Sequence, residues 1–188
     1  MTVALVKRDL VKLNLGCGAD IRKDCVNVDT HCGEVRLDLN STGWPWADNS
    51  VGEVVMFHVL EHLPDTIQVM KELYRVCCDG AKVFIKVPHP RHDDFLSDPT
   101  HVRPITIRLL HLFSKKQCAQ WASAGNANTP IATIHNVDFE VIDECYGVDA
   151  GWMEKVKRGE ITDQQLKEMA MAYNNVIREI EVTLKVCK

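Results

Sequence analysis

No stretch of the chain approaches the eighteen or so apolar residues that a membrane span requires, so no transmembrane helix and no membrane partner is expected. No secretory leader is expected either. The apolar run Val3–Val6 ends at Lys7-Arg8-Asp9, far short of a signal-peptide core. The eight cysteines, at positions 17, 25, 32, 77, 78, 118, 145 and 187, include no Cys-x-x-Cys pair. Their spacing specifies no disulfide framework, and reduced thiols in a cytoplasmic protein are the expected state. In that compartment the sequon Asn40-Ser41-Thr42 carries no glycan. A net charge of −4 argues against a chain devoted to wrapping nucleic acid, although local basic patches remain open. No internal repeat and no low-complexity segment is present.

What is there is an ordinary globular composition. With 188 residues, 46% hydrophobic and 26% charged, the chain can bury a core without staples, and it is expected to form one domain. Strand and helix signals alternate in the first half. Short apolar strands are expected at Val11–Leu15, Cys25–Asp29, Glu34–Leu39, Glu53–Phe57 and Ala81–Val87. A helix from about Asp65 to Cys77 places Ile67, Met70, Leu73, Tyr74 and Cys77 on one face, with Asp79-Gly80 as its stop. The span Pro88–Pro104 holds four prolines and no periodicity, the mark of a long functional loop. A helix over about Ile105–Ala122, a strand near Phe139–Tyr146 and a helix opened by the capping box Thr162-x-x-Gln165 follow. In Arg178–Lys188 the residues Ile180, Val182, Leu184 and Val186 alternate as a closing strand. This order implies an α/β, doubly wound, mostly parallel sheet.

Strand, then Gly16-x-Gly18, then a turn lets backbone approach a ligand closely, because glycine adopts unusual φ and has no Cβ. Ile21 stands where a dinucleotide fingerprint needs its third glycine, so pyrophosphate binding is disfavoured. Asp29 ends the second strand, where a carboxylate can accept hydrogen bonds from both ribose hydroxyls. Only ten residues separate it from Gly18, so the first helix must be very short.

Leu13-Asn14-Leu15-Gly16-Cys17-Gly18 resembles the first motif of the class I, Rossmann-like S-adenosylmethionine-dependent methyltransferases, and of their small type 11 group in particular. Asp48-Asn49-Ser50 with Val54–Leu63 resembles the same family's fourth-strand stretch. So do Lys71–Val76, Asp79-Gly80 and Ile85-Lys86-Val87-Pro88 for the helix and fifth strand that follow. The resemblance implies a seven-stranded sheet with an antiparallel last strand, and S-adenosylmethionine as cofactor. It implies that Gly16, Cys17 and Gly18 lie beneath the methionine and ribose portions and that Asp29 holds the ribose. Asp38 and Leu39 would frame the adenine, while Phe57 and His58 would close the site near the sulfonium. Asn14 stands in place of the family's acidic residue near the methionine amino group. Gly52 replaces the usual Asp before the fourth strand. Residues 1–87 are then the cofactor half and residues 88–188 the acceptor half.

Two further patterns compete for attention. His58-Val59-Leu60-Glu61-His62 spells the H-x-x-E-H signature of inverted zinc proteases, which needs both histidines on one helical face. Pro64-Asp65 places the helix later, so this reading is set aside and His62 is expected to have no catalytic role. Between Lys86 and Lys116 lie His89, His92, His101 and His111, with six Lys or Arg against three Asp. This cluster follows the fifth strand, at the crevice where open α/β sheets bind ligands. It points to an acceptor pocket with His89, His92 or His101 as general base. A metal site from His89, His92, Asp93 and His101 is not specified by spacing, and none is expected. The expected acceptor is an oxygen or nitrogen nucleophile of a small molecule or glycan precursor, an anionic one being suited to the local basic charge. The sequence motifs of DNA amino and cytosine methylation are absent. A protein or nucleic-acid acceptor stays second, and a nucleotide-binding protein without catalysis is the alternative from another class.

Overall fold

The computed structural model describes residues 10–188. The run Val3–Val6 and the charges that end it therefore lie outside the described residues. Seven strands form one sheet in the order β3-β2-β1-β4-β5-β7-β6. They are β1 (Val11–Leu15), β2 (Val26–Asp29), β3 (Val35–Arg36), β4 (Val51–Phe57), β5 (Cys77–Pro88), β6 (Phe139–Val148) and β7 (Ile177–Val186). The pairs β1·β2, β1·β4, β2·β3 and β4·β5 run parallel, while β7 is antiparallel to both β5 and β6. This is the α/β sheet expected, with the last strand reversed.

Strand order turns around between β1 and β4: the chain first builds outward through β2 and β3, then returns to the other side of β1. Such a switch point opens a crevice beyond the carboxyl ends of the strands, which is where this fold class binds ligands. Buried Leu13, Leu15, Val28, Val54, Met56, Val83 and Ile85 share one face of the sheet by register and make it apolar, while Val55, Asn14 and Asn27 are buried on the other. In β7 the alternation read from sequence buries Ile180, Val182, Leu184 and Val186.

Several expected boundaries move for identifiable reasons. No helix forms between β1 and β2, since residues 16–25 hold only turns, a bend and irregular backbone. The expected strand Glu34–Leu39 pairs only over Val35–Arg36. Helix α1 (Thr66–Val76) starts on Asp65, whose carboxylate accepts from the Gln68 N–H at 2.9 Å. Its buried face is Val69, Met70, Leu73 and Val76, with Ile67 and Tyr74 at the margin. Asp79-Gly80 does not stop it. The chain passes at Cys77 straight into β5, and Gly80, at φ +75°, sits inside that strand.

The loop after β5 holds a single helical turn, α2 (Asp93–Leu96). The expected helix over Ile105–Ala122 is two, α3 (Ile107–His111) and α4 (Lys115–Ser123). Ser114 divides them because its hydroxyl accepts from Gln117 N–H and restarts the helix. A short α5 (Ile131–Ile134) and an unforeseen α6 (Ala150–Lys157), capped by Asp149, precede α7 (Asp163–Ala172). Helix α7 opens on the Thr162–Gln165 capping box read from sequence. Among the described residues no helix is long and apolar enough to cross a membrane.

Candidate functional site

A cleft of about 270 Å³ opens at the switch point, lined by Gly16, Asp29, Thr30, Leu37–Asn40, His58, Val59, His62 and Leu63. Each wall is the carboxyl end of a strand: Gly16 follows β1, Asp29 ends β2, Asp38 and Leu39 follow β3, and His58 follows β4. Five of the expected cofactor residues, Gly16, Asp29, Asp38, Leu39 and His58, therefore meet in one cavity. Sequence reasoning missed Thr30, Leu37, Asn40, Val59 and Leu63, which carry no chemical signal of their own, and it set His62 aside with the H-x-x-E-H pattern.

Gly16 has φ +64°, and a Cβ there would stand 2.4 Å from Val59 Cγ2. Only glycine lets the β1 turn pass beneath Val59. Gly18 also has positive φ, and its N–H donates to Asp29 Oδ2 at 3.1 Å. The other oxygen, Oδ1, accepts the His31 N–H at 2.8 Å. Burial works to raise the Asp29 pKa, but the His31 and Gly18 donors outweigh it and hold the carboxyl below its ordinary value. A carboxylate has about four lone-pair positions. Two are used, so two remain for hydroxyl donors in the cleft. Asp38 Oδ1 accepts from the Asn40 N–H and Nδ2, closing a turn that presents Leu39 beside it.

Other expected contacts fall away from the cleft. Asn14 is buried, and its Nδ2 donates to the Asp20 carbonyl at 2.6 Å and to Asn27 Oδ1 at 3.0 Å. It stitches the turn after β1 and does not line the cavity. The Cys17 thiol is buried and pushed by that burial up to about 11, so it packs as a neutral group. Phe57 carries the Arg22 guanidinium over its ring at 4.8 Å to the centroid.

His58 holds φ +56°, unusual for a non-glycine residue, and its N–H donates to the Lys86 carbonyl at 2.8 Å. Its Nδ1 lies 3.5 Å from Glu61 Oε1 and its Nε2 3.4 Å from Glu179 Oε1. The Glu61 carboxylate beside it raises its pKa against the burial that lowers it. Only a single 3-10 turn, Leu60–His62, follows. His58 and His62 are thus not on one helical face, as an inverted zinc protease would need.

The loop histidines separate. His89 lines a second, larger cavity of about 640 Å³ with Tyr146, Val148, Leu166, Met171 and Ile177. Burial, with Arg91 and His92 nearby, lowers its pKa, so it is neutral at pH 7. Its Nδ1 accepts the Arg91 N–H at 3.2 Å. His92 is buried, caps α2 by accepting the Asp94 N–H at 3.1 Å, and has Nε2 3.6 Å from Asp149. In both, an occupied Nδ1 leaves the neutral ring with its proton on Nε2. His101 is the reverse: Nδ1 is 2.9 Å from the Phe95 carbonyl and must donate to it, so Nε2 keeps a lone pair. The Arg91 guanidinium binds the carbonyls of Ala170 and Met171 at the end of α7 and is committed there. The tetrad His89, His92, Asp93 and His101 does not converge; His101 groups instead with Glu61 and His62.

Residues 13–85 match the family model described as a methyltransferase domain. The matched segment runs from β1 into β5 and includes every residue that lines the cleft. Among solved structures it is similar to a SAM-dependent methyltransferase from Archaeoglobus fulgidus, with TM-score 0.58 and 18% identity over 95% of this chain and 87% of that one. It is also similar to the YcgJ protein from Bacillus subtilis, with TM-score 0.52 and 13% identity over 96% and 95% of the two chains. The [4+2]-cyclase SpnF is a third, at TM-score 0.53 and 13% identity over 95% and 75%. At these identities the structural likeness speaks for the fold alone, and a cyclase among the neighbours shows that one fold carries several chemistries. No curated protein matches the chain.

Proposed function

We propose that this methyltransferase binds S-adenosylmethionine in the switch-point cleft and transfers its methyl group to an oxygen or nitrogen nucleophile of a small molecule or glycan precursor. The observation that carries the reading is the convergence of Gly16, Asp29, Asp38, Leu39 and His58 on one cavity. The two free lone-pair positions of Asp29 take the ribose hydroxyls, the Asp38–Asn40 turn takes the adenine edge, and the sulfonium lies toward His58.

The acceptor half is residues 88–188, and the cavity beside His89 is its binding volume. Its apolar walls and its size fit a small organic molecule. Arg91 is tied to α7, and the other charged residues of the lining, Lys167 and Asp163, are of opposite sign, so the walls do not single out an anionic acceptor. His89 offers Nε2–H as a donor and so positions the acceptor. His101 is the one loop histidine of the three with an open lone pair, so the nucleophile's proton is lost on its side of the loop. The sulfonium loses its charge as the methyl moves, and the protein contributes alignment and exclusion of water.

The test is incubation with methyl-labelled cofactor and a cell extract divided into metabolites, glycans, proteins and nucleic acids. Label should enter the metabolite or glycan fraction. Label confined to protein or nucleic acid would overturn the acceptor assignment, and S-adenosylhomocysteine failing to bind at all would overturn the cofactor assignment.

A further inference from the structure

Glu61 presents an unresolved problem of charge. Its side chain is fully buried, and neither carboxylate oxygen has a hydrogen-bond partner. The nearest cationic group, His58 Nδ1, stands 3.5 Å away without forming a hydrogen bond. Burying an ionised carboxylate without compensation is among the costliest arrangements a protein can hold. Beside it stand His62 and His101, with one ligand atom from each of the three residues within 4.8 Å of the others.

The tautomers of these histidines are set from outside the cluster. His101 donates Nδ1–H to the Phe95 carbonyl. His62 Nδ1 lies 2.9 Å from Thr100 Oγ1, whose own proton goes to Asp98 Oδ1 at 2.6 Å. The hydroxyl can then only accept, so His62 Nδ1 also carries its proton. Both rings thus keep an Nε2 lone pair, and both donate their other N–H to an oxygen that fixes ring orientation. Metal-bound histidines are held in this way. Asp98 Oδ2 is 3.8 Å from His101 Nε2, too far to claim it by a hydrogen bond.

We propose that Glu61, His62 and His101 bind one zinc-class divalent cation at the rim of the cofactor cleft. Two imidazoles and a carboxylate are a three-ligand set that leaves a fourth, open position. Bonds of about 2.1 Å in tetrahedral geometry put ligand atoms roughly 3.4 Å apart, so binding draws the cluster inward by about 1.4 Å at most. The movement falls on the loop bearing His101, which metal binding should therefore stiffen. His62 lines the cleft, so the open position lies at the cofactor's border. A cation there lowers the pKa of a bound hydroxyl, and His101 then acts as ligand to the nucleophile's metal. The assignment departs from the metal-free site expected from sequence. The second cluster of metal-ligand types, Cys17, Asp29 and Cys32, is a poorer host: the Cys17 thiol resists deprotonation and Asp29 already accepts two N–H donors.

The test needs no methyl transfer, so it is separate from the function proposed above. Chelator-stripped protein is titrated with Zn²⁺ against a chromophoric competitor, and with Co²⁺ while visible absorption is followed. The expected result is one equivalent bound, with tetrahedral cobalt bands. His62→Ala, His101→Ala and Glu61→Gln should each weaken zinc at least tenfold, Thr100→Val by about 10–100-fold, and Cys32→Ser should bind as wild type. Urea denaturation identifies which variants are folded, and half-exposed His62 keeps the test open if Glu61→Gln does not fold. No stoichiometric binding, unchanged affinity in folded His62→Ala and His101→Ala, or loss only in Cys32→Ser would each overturn the site.

Discussion

Replacing Asp29 with Ala isolates the ribose contact, and the structure sets its size. The carboxylate spends one lone pair on Gly18 N–H and one on His31 N–H, leaving two for the cofactor. Hydrogen bonds to a charged acceptor are worth about 1.5–3 kcal/mol, and tenfold in affinity corresponds to about 1.4 kcal/mol. Asp29→Ala should therefore bind S-adenosylhomocysteine roughly 10- to 150-fold more weakly. The variant also frees two backbone donors, both at exposed positions where water replaces the lost acceptor, so stability should fall by no more than about 1–2 kcal/mol. Asp29→Asn is the sharper control. Its amide carries one acceptor oxygen, so its NH₂ must face either the Gly18 or the His31 N–H, donor against donor. It should bind no better than Ala despite its near-identical shape. Isothermal titration well below the unfolding transition reads the affinity, and urea denaturation reads the stability. Full affinity in a folded Asp29→Ala would refute the ribose assignment, as would affinity restored in Asp29→Asn.

Gly16→Ala forces a Cβ to 2.4 Å from Val59 at φ +64° and should cost about 1–3 kcal/mol, read by urea midpoint; adding Val59→Ala should recover part of it, since only the clash is relieved. His89 has its pKa lowered in the folded state, so the unfolded chain binds more protons near pH 6 and stability must rise with pH through that window. His89→Ala should flatten the difference between urea midpoints measured at about pH 5.5 and 7.5, and an unchanged slope would contradict the depressed value. His101→Ala should lower single-turnover methyl transfer by about 10²–10⁴ with S-adenosylhomocysteine affinity intact, whereas His92→Ala should mainly lose about 0.5–2 kcal/mol of stability with its α2 cap. Equal turnover defects in the two would dissolve the distinction drawn between them.

The sheet was readable because its strands are short apolar runs punctuated by Gly16, Asp29 and Pro88, whereas Asp79-Gly80, read as a helix stop, lies inside β5. The boundaries that moved did so where a tertiary partner decided. Gln117 N–H found the Ser114 hydroxyl and Lys115 N–H found Asp138, which divided a helix that periodicity had drawn as one. Asp149 started a helix by capturing Gly151 N–H after a strand that propensity alone would have ended in a loop.

The site shows the same division more sharply. Residues whose roles depend on strand ends, namely Gly16, Asp29, Asp38 and His58, could be placed because topology alone brings strand ends together. Residues whose roles depend on proton placement could not. His89, His92 and His101 look alike in sequence, yet two of them have Nδ1 occupied by a backbone N–H and one gives Nδ1–H to a carbonyl. That single reversal decides which ring can take a proton or a cation. The H-x-x-E-H spelling fails for a related reason, since a left-handed His58 and a lone 3-10 turn destroy its helical face. The partner that Glu61 and His62 do meet, His101, arrives 39 positions beyond His62 from a loop without periodicity. The fold brings both imidazoles to the buried carboxylate, and its two oxygens without a hydrogen-bond partner are the physical reason to seek a cation there.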